Sequence, residues 1–242
     1  MVGGLMAGAE AARAALAWWQ LAGADTLVAQ APRSWLAPPQ PPAARALPGR
    51  APAAAAAPPA RLPRFQSLAE LRDWLAREHP GAPFLDGEPG SGLLLIGEAP
   101  SAEDLATGRP FSGPAGRLLD RMLAAIGRDR TRAAVAIMTP RRRVPGGPPP
   151  PDAIAHDLPL VQELLRLAAP RLLVLLGGVP AQTLSGRTEP ISALRGLDLT
   201  VAAGAGTIPA LATFNPAYLL RRPPEKAHAW ADLRAIARRL AP

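Results

Sequence analysis

Apolar residues along this chain fall into short unbroken runs, separated by longer stretches of helical periodicity. Leu93-Leu94-Leu95-Ile96-Gly97, Ala133 to Met138, Arg171 to Gly177 (RLLVLLG) and Pro209 to Phe214 read as strands covered on both faces, because apolar positions do not alternate with polar ones. Helices are predicted between them. Ser67 caps a segment with Leu68, Leu71 and Leu75 on one stripe. A helix follows Pro114, with Leu118, Met122 and Ile126 in phase and Leu119 and Leu123 beside them. Asp152 opens another, carrying Ile154, Leu158, Val161, Leu165 and Ala168, and Val179 to Ser185 is a short one. The last, Glu225 to Leu240, places Trp230, Leu233, Ala237 and Leu240 in register. This alternation predicts an α/β fold of three layers, α/β/α, around a four-stranded parallel sheet.

The pattern changes ahead of residue 65. Leu5, Ala9, Ala12, Leu16 and Trp19 recur at helical spacing, so residues 1–31 are expected to form a helical extension. A secretory signal ending at Ala29-Gln30-Ala31 is the rival reading, but Glu10 precedes Arg13 and Asp25 interrupts the approach to that site. Residues 32–64 hold ten Pro, five Arg, no acid and the run Ala53 to Ala57, a composition that buries too little apolar surface to offset its ordering entropy. They are expected to be a linker ahead of a domain spanning 65–242. No window reaches the ~18 uncharged apolar residues of a membrane span. A cytoplasmic monomer away from membranes is expected.

Composition narrows the chemistry. The chain has no Cys, which excludes a disulfide scaffold, a thiolate zinc site, a Cys nucleophile and a Cys-ligated iron–sulfur cluster. Its 27 Lys+Arg exceed 19 Asp+Glu by eight charges, and Lys226 is the single lysine, so the excess is guanidinium. Guanidinium suits bidentate contact with phosphate, which makes nucleic acid a natural partner; solvated Arg in a biased composition is the plain alternative.

In an open parallel sheet, ligands bind beyond the carboxyl ends of the strands. That rule selects four loops: Gly97 to Gly113, Thr139 to Pro151, Gly177 to Pro180 and Asn215 to Pro224. No phosphate-binding glycine motif and no nucleophile elbow is present. His79, His156 and His228 stand singly, without partners at metal-ligand spacing, and no metal site is expected. In the first loop, Glu98 lies directly off a strand end, a place suited to proton chemistry, and Phe111 is a candidate platform for a flat heterocycle. A helix-cap carboxylate and a core plug are the structural alternatives. In the last loop, Leu219 and Leu220 beside Arg221 and Arg222 suit a wedge that enters a base stack and holds phosphates, unless both leucines pack inward. Arg141, Arg142 and Arg143 follow the second strand at the same expected edge.

These segments carry a resemblance. GEAP (97–100), GRPFSGPAGRLLDRML (108–123), RLLVLLGG (171–178), ISALRG (191–196) and FNPAYLLRRPPEKAHAWADL (214–233) together resemble the uracil-DNA glycosylase superfamily. The likeness is greatest to its branch that normally carries an iron–sulfur cluster, and spans about residues 67–242 in order and spacing. The Trp18-Trp19 segment and the Pro-rich stretch resemble an N-terminal extension of some members. The resemblance implies the fold read above and hydrolysis of the N-glycosidic bond of uracil, or a related altered base, in DNA after the nucleotide leaves the stack. It implies that Gly97, Glu98, Ala99 and Pro100 position water and line the base pocket, and that Phe111 stacks on the base. Asn215 would face the leaving base, and a Leu of the 215–220 motif would enter the vacated stack.

Four departures accompany the likeness. The cluster ligands are gone, and the segment between Leu75 and Leu93 is short where the first would fall, so no cofactor is expected. Met138 or Thr139 occupies the place of the family's pyrimidine-reading Asn. Asn215 stands where the second motif normally begins with His, as it does in a mismatch-specific branch, and Ser101 replaces a usual Gly. Three functions fit: a cluster-free glycosylase, a degenerate relative that holds DNA or a damaged base without cutting, and a small-molecule binder on the same fold.

Overall fold

A computed structural model describes residues 62–140 and 149–241. The expected N-terminal helix, most of the expected linker, and Arg141 to Arg143 lie outside the described residues.

Strands β1 (Leu85–Gly87), β2 (Leu93–Gly97), β3 (Ala134–Ile137), β4 (Leu172–Leu176), β5 (Leu199–Ala203) and β6 (Gly206–Thr213) form one sheet in the order β1-β3-β2-β4-β6-β5. The four expected strands are its parallel centre, with β2 between β3 and β4 and β6 beyond β4. Two antiparallel edge strands enlarge the expected four-stranded sheet to six. β1 is three residues long, too short to leave a pattern. β5 alternates buried and exposed positions, and so lacks the unbroken apolar run that marks the centre. β6 begins three residues ahead of the expected Pro209, which pairs with Thr200 of β5, whereas pairing with β4 starts only at Ala210. Proline, lacking an N–H, is thus placed where the strand needs one neighbour.

Helices α1 (Leu68–Glu78), α2 (Ala102–Thr107), α3 (Pro114–Ala124), α4 (Pro151–Ala168), α5 (Gly178–Ser185), α6 (Ile191–Leu194), α7 (Pro216–Arg221) and α8 (Lys226–Leu240) complete the described residues, with two short 3-10 turns. Ser67 caps α1 as expected, its hydroxyl accepting from Glu70 N at 3.2 Å. α4 starts a residue before the expected cap, and Asp152 lies in its first turn. Side chains of each central strand divide between two cores: Leu94, Ile96, Leu173 and Leu175 join α1 and α4 on one face, while Leu93, Leu95, Leu172 and Val174 join α3, α7 and α8 on the other. Sheet burial on both faces is the hydrophobic source of the fold's stability.

The phase of α8 differs from expectation. Its buried residues are Ala229, Asp232, Leu233 and Ile236, and Trp230 is 47% exposed. A buried aspartate turns the helix, and its partner lies across the fold.

Candidate active site

Strand register brings the expected loops to one edge. Gly97 pairs with Ile137, Ile96 with Leu175, and Leu176 with Thr213, so Glu98, Thr139, Gly177 and Asn215 leave the sheet side by side. A cleft of about 1020 Å³ opens there. Glu98, Ala99 and Pro100 form one part of its wall; Phe214, Asn215, Tyr218 and Arg221 form another. The size suits a nucleoside-scale ligand.

The first wall is built by a buried carboxylate. Asp104 Oδ2 accepts from Ser101 N at 3.0 Å while Ser101 Oγ accepts from Asp104 N at 3.1 Å, a reciprocal cap on α2. The same Asp104 accepts from Ser112 N and Ser112 Oγ through Oδ1, at 2.7 and 3.0 Å. It therefore ties the Gly97–Ser101 turn to the Phe111–Gly113 turn, and Ser101 in place of Gly supplies the cap. Thr139 is fully buried and does not line the cleft; its N and Oγ1 both donate to the Glu98 carbonyl, at 3.2 and 3.0 Å. Thr139 thus fixes the backbone from which the Glu98 side chain departs.

Phe111 departs from the expected exposed aromatic. It is 8% exposed, belongs to the core on the α3 face, and adopts φ of 53°. Its ring lies against Gly97, where a Cβ would come within 2.5 Å of Cζ, so glycine at the strand end is what lets the ring approach. Neither Phe111 nor Gly97 lines the cleft; the ring touches Gly97, the residue before Glu98.

On the second wall, Asn215 caps α7: its Oδ1 accepts from Ala217 N at 2.8 Å, and its Nδ2 reaches the Leu176 carbonyl at 3.4 Å. Gly177, at φ of 106°, leaves room for the Asn215 side chain beside it. The two expected wedge leucines separate. Leu219 is 1% exposed and packs in the core, which removes it from any surface role, whereas Leu220 is 42% exposed. Arg221 and Arg222 are exposed.

Arg195, half-buried in the same cleft wall, is a site residue that the sequence reading does not single out. It donates through Nε and Nη2 to both carboxylate oxygens of Asp232, each at 2.9 Å, and its guanidinium lies 4.8 Å from the Phe214 ring centre. Thr213 Oγ1 donates to Asp232 at 2.7 Å. This network braces Thr213 and Phe214, the residues that lead into Asn215. The pairing spans 37 residues, and only the Arg in ISALRG hinted at it. His228, also on the cleft, pairs with Glu225 at 2.8 Å.

A three-layer α/β fold whose strand-end cleft is walled by Glu98, Ala99 and Pro100 on one side and by Asn215 and Tyr218 on the other belongs to the α/β domains that take a ligand at the carboxyl edge of the sheet. The family model for the uracil DNA glycosylase superfamily matches residues 84–234, and the chain belongs to that family. It is 27% identical over 152 residues to the type-4 uracil-DNA glycosylase of Pyrobaculum aerophilum, a match covering 61% of this chain and 78% of that one. Type-4 uracil-DNA glycosylases of Archaeoglobus fulgidus (27% over 148 residues; 60% and 74%) and Thermotoga maritima (29% over 137; 56% and 70%) match similarly.

An iron–sulfur cluster, implied by the likeness to that branch, does not fit the residues present. The chain has no Cys, and among the described residues no group of three His, Asp or Glu is placed to hold a metal. The segment after α1 is tied by protein contacts instead: the Trp74 and His79 rings meet edge-on at 5.4 Å, Ala82 N donates to His79 O at 3.0 Å, and Phe84 is buried.

Proposed function

We propose that this protein is a cluster-free DNA N-glycosylase that hydrolyses the glycosidic bond of uracil or a related altered base. The observation that carries the reading is the shared cleft of Glu98 and Asn215, set at one sheet edge by strand register. In this reaction the base departs as an anion while the sugar becomes oxocarbenium-like. Glu98 holds and orients the attacking water and takes up its proton. The Asn215 amide offers a neutral donor to the leaving base, where a preorganised donor contributes about 10²–10³ in rate. Leu220, with Arg221 and Arg222 beside it, is the wedge that replaces the flipped nucleotide and holds the flanking phosphates.

One observation favours a second reading, a relative that binds without cutting: Asn215 Oδ1 is engaged as a helix cap, and Nδ2 leans toward Leu176 O. Single-turnover assays separate the two. Purified protein in excess is mixed with single- and double-stranded oligonucleotides carrying uracil, hypoxanthine or a mismatched base, and abasic sites are counted after alkali. Release of at least one base, lost in Glu98→Gln, supports the enzyme. Retention of every base with undiminished binding supports the second reading.

A further inference from the structure

Phe111 is one of two residues other than glycine with positive φ among the described residues. Such a backbone persists only where its surroundings over-determine it. Asp104 holds the following Ser112 N, and Arg130 holds the Pro110 and Phe111 carbonyls. Arg130 Nη2 donates to the Phe111 carbonyl at 2.6 Å and Nη1 to the Pro110 carbonyl at 3.0 Å. The guanidinium is itself held by Asp86 at 2.6 Å through Nη1 and by Asp120 at 2.8 Å through Nε. Arg109 adds a second cation to Asp86 at 3.1 Å. Burial acts to raise the Asp86 carboxyl, but hydrogen bonds from Arg130 and Arg109 outweigh it and hold the group below the ordinary aspartate range. Asp86 lies on the edge strand β1 and Asp120 on α3, so two elements aim one guanidinium at one turn.

We propose that Arg130 is a positioning residue: it clamps the strained Pro110–Phe111 backbone and thereby sets the ring against Gly97, the residue before Glu98. The inference rests on the glycosylase reading in one respect, that the ring's placement matters to the base held in the cleft. A guanidinium spans two carbonyls and two carboxylates at once, whereas an ammonium is a point charge, so Arg130→Lys does not reproduce the clamp.

The chain has four Phe, so labelling with 4-fluorophenylalanine yields four fluorine NMR lines, with the Phe111 line assigned by Phe111→Leu. In Arg130→Lys the Phe111 line is expected to shift and broaden while those of Phe65, Phe84 and Phe214 keep their positions, which also shows that the variant is folded. Asp120→Asn, at a half-exposed carboxylate, is expected to move the same line in the same direction by less. Single-turnover excision by Arg130→Lys is expected to fall about 10–100-fold, the cost of an ångström-scale misplacement. Its affinity for undamaged duplex stays unchanged. In a Phe111→Ala background, Arg130→Lys is expected to cost nothing more, because both act through one ring. An unmoved Phe111 line, or equal movement of all four, overturns the clamp. Additive losses, or a Phe111 line indifferent to uracil-containing DNA, overturn the positioning role and leave Arg130 structural. If the wild-type protein releases no base, the glycosylase reading fails while the fluorine lines still decide the clamp.

Discussion

Because Asn215 Oδ1 caps the helix that begins at Pro216, replacing it by His removes a cap while adding an imidazole at the leaving base. Asn215→His is therefore expected to lower stability by about 0.5–2 kcal/mol, read from urea unfolding. Uracil excision should rise at the same time, by at most the ~10²–10³ of one preorganised donor. A fall in both would make Asn215 itself the working group. The leucine pair gives a second contrast at this scale. Leu219→Ala empties a core position and is expected to cost about 2–5 kcal/mol. Leu220→Ala is expected to stay within about 0.5 kcal/mol. It should slow excision from duplex more than from single strands, since only duplex has a vacated stack to fill. The sequence offered both leucines as wedge candidates; which one turns inward depends on where α7 sits against α3, and two adjacent apolar letters do not encode that.

Among the elements, the Arg195–Asp232 pair, with its carboxylate buried, joins α6, α8 and the end of β6. Asp232→Asn leaves a mostly buried guanidinium short of its countercharge and is expected to cost about 3–5 kcal/mol, measured by urea unfolding. A loss under about 1 kcal/mol would mean that water reaches Arg195 freely. This pair also explains what periodicity missed. A hydrophobic pattern treats Asp232 as a surface letter, so it rotated α8 toward Trp230, whereas the carboxylate is drawn inward by Arg195 and Thr213. The central strands, by contrast, were legible because parallel strands covered on both faces require continuous apolar runs such as LLLIG and LLVLL. The edge strand β5 did carry a signal, alternation followed by Gly204 and Gly206, but half its residues face solvent and its run is not apolar throughout. The Glu98 and Asn215 loops were legible for a different reason: topology alone places strand ends at one edge. Phe111's burial matches the core-plug alternative rather than the exposed platform, and the Arg130 hydrogen bonds to the Pro110 and Phe111 carbonyls, which a local pattern does not encode, accompany it.

Across the whole molecule, an excess of eight positive charges, nearly all guanidinium, makes DNA affinity a salt-dependent quantity. Each phosphate contact contributes about −0.9 to the slope of log affinity against log salt on duplex DNA. Replacing both Arg221 and Arg222 by Ala is expected to flatten the slope by up to about two such contacts without changing base preference, because phosphate contacts position rather than specify. Replacing Arg141 to Arg143 together tests those arginines in the same way. An unchanged slope in either variant would assign those arginines to solvent.

The central claim, that a superfamily member without a cluster cuts through Glu98, is tested most directly by counting abasic sites. Wild-type protein and Glu98→Gln, each assayed for bound iron, are mixed in excess with uracil-containing single-stranded DNA. Alkali-labile sites at the uracil are expected for the wild-type protein and none for Glu98→Gln, with equal binding by both. Equal cleavage by the two proteins, or none by either, would contradict it.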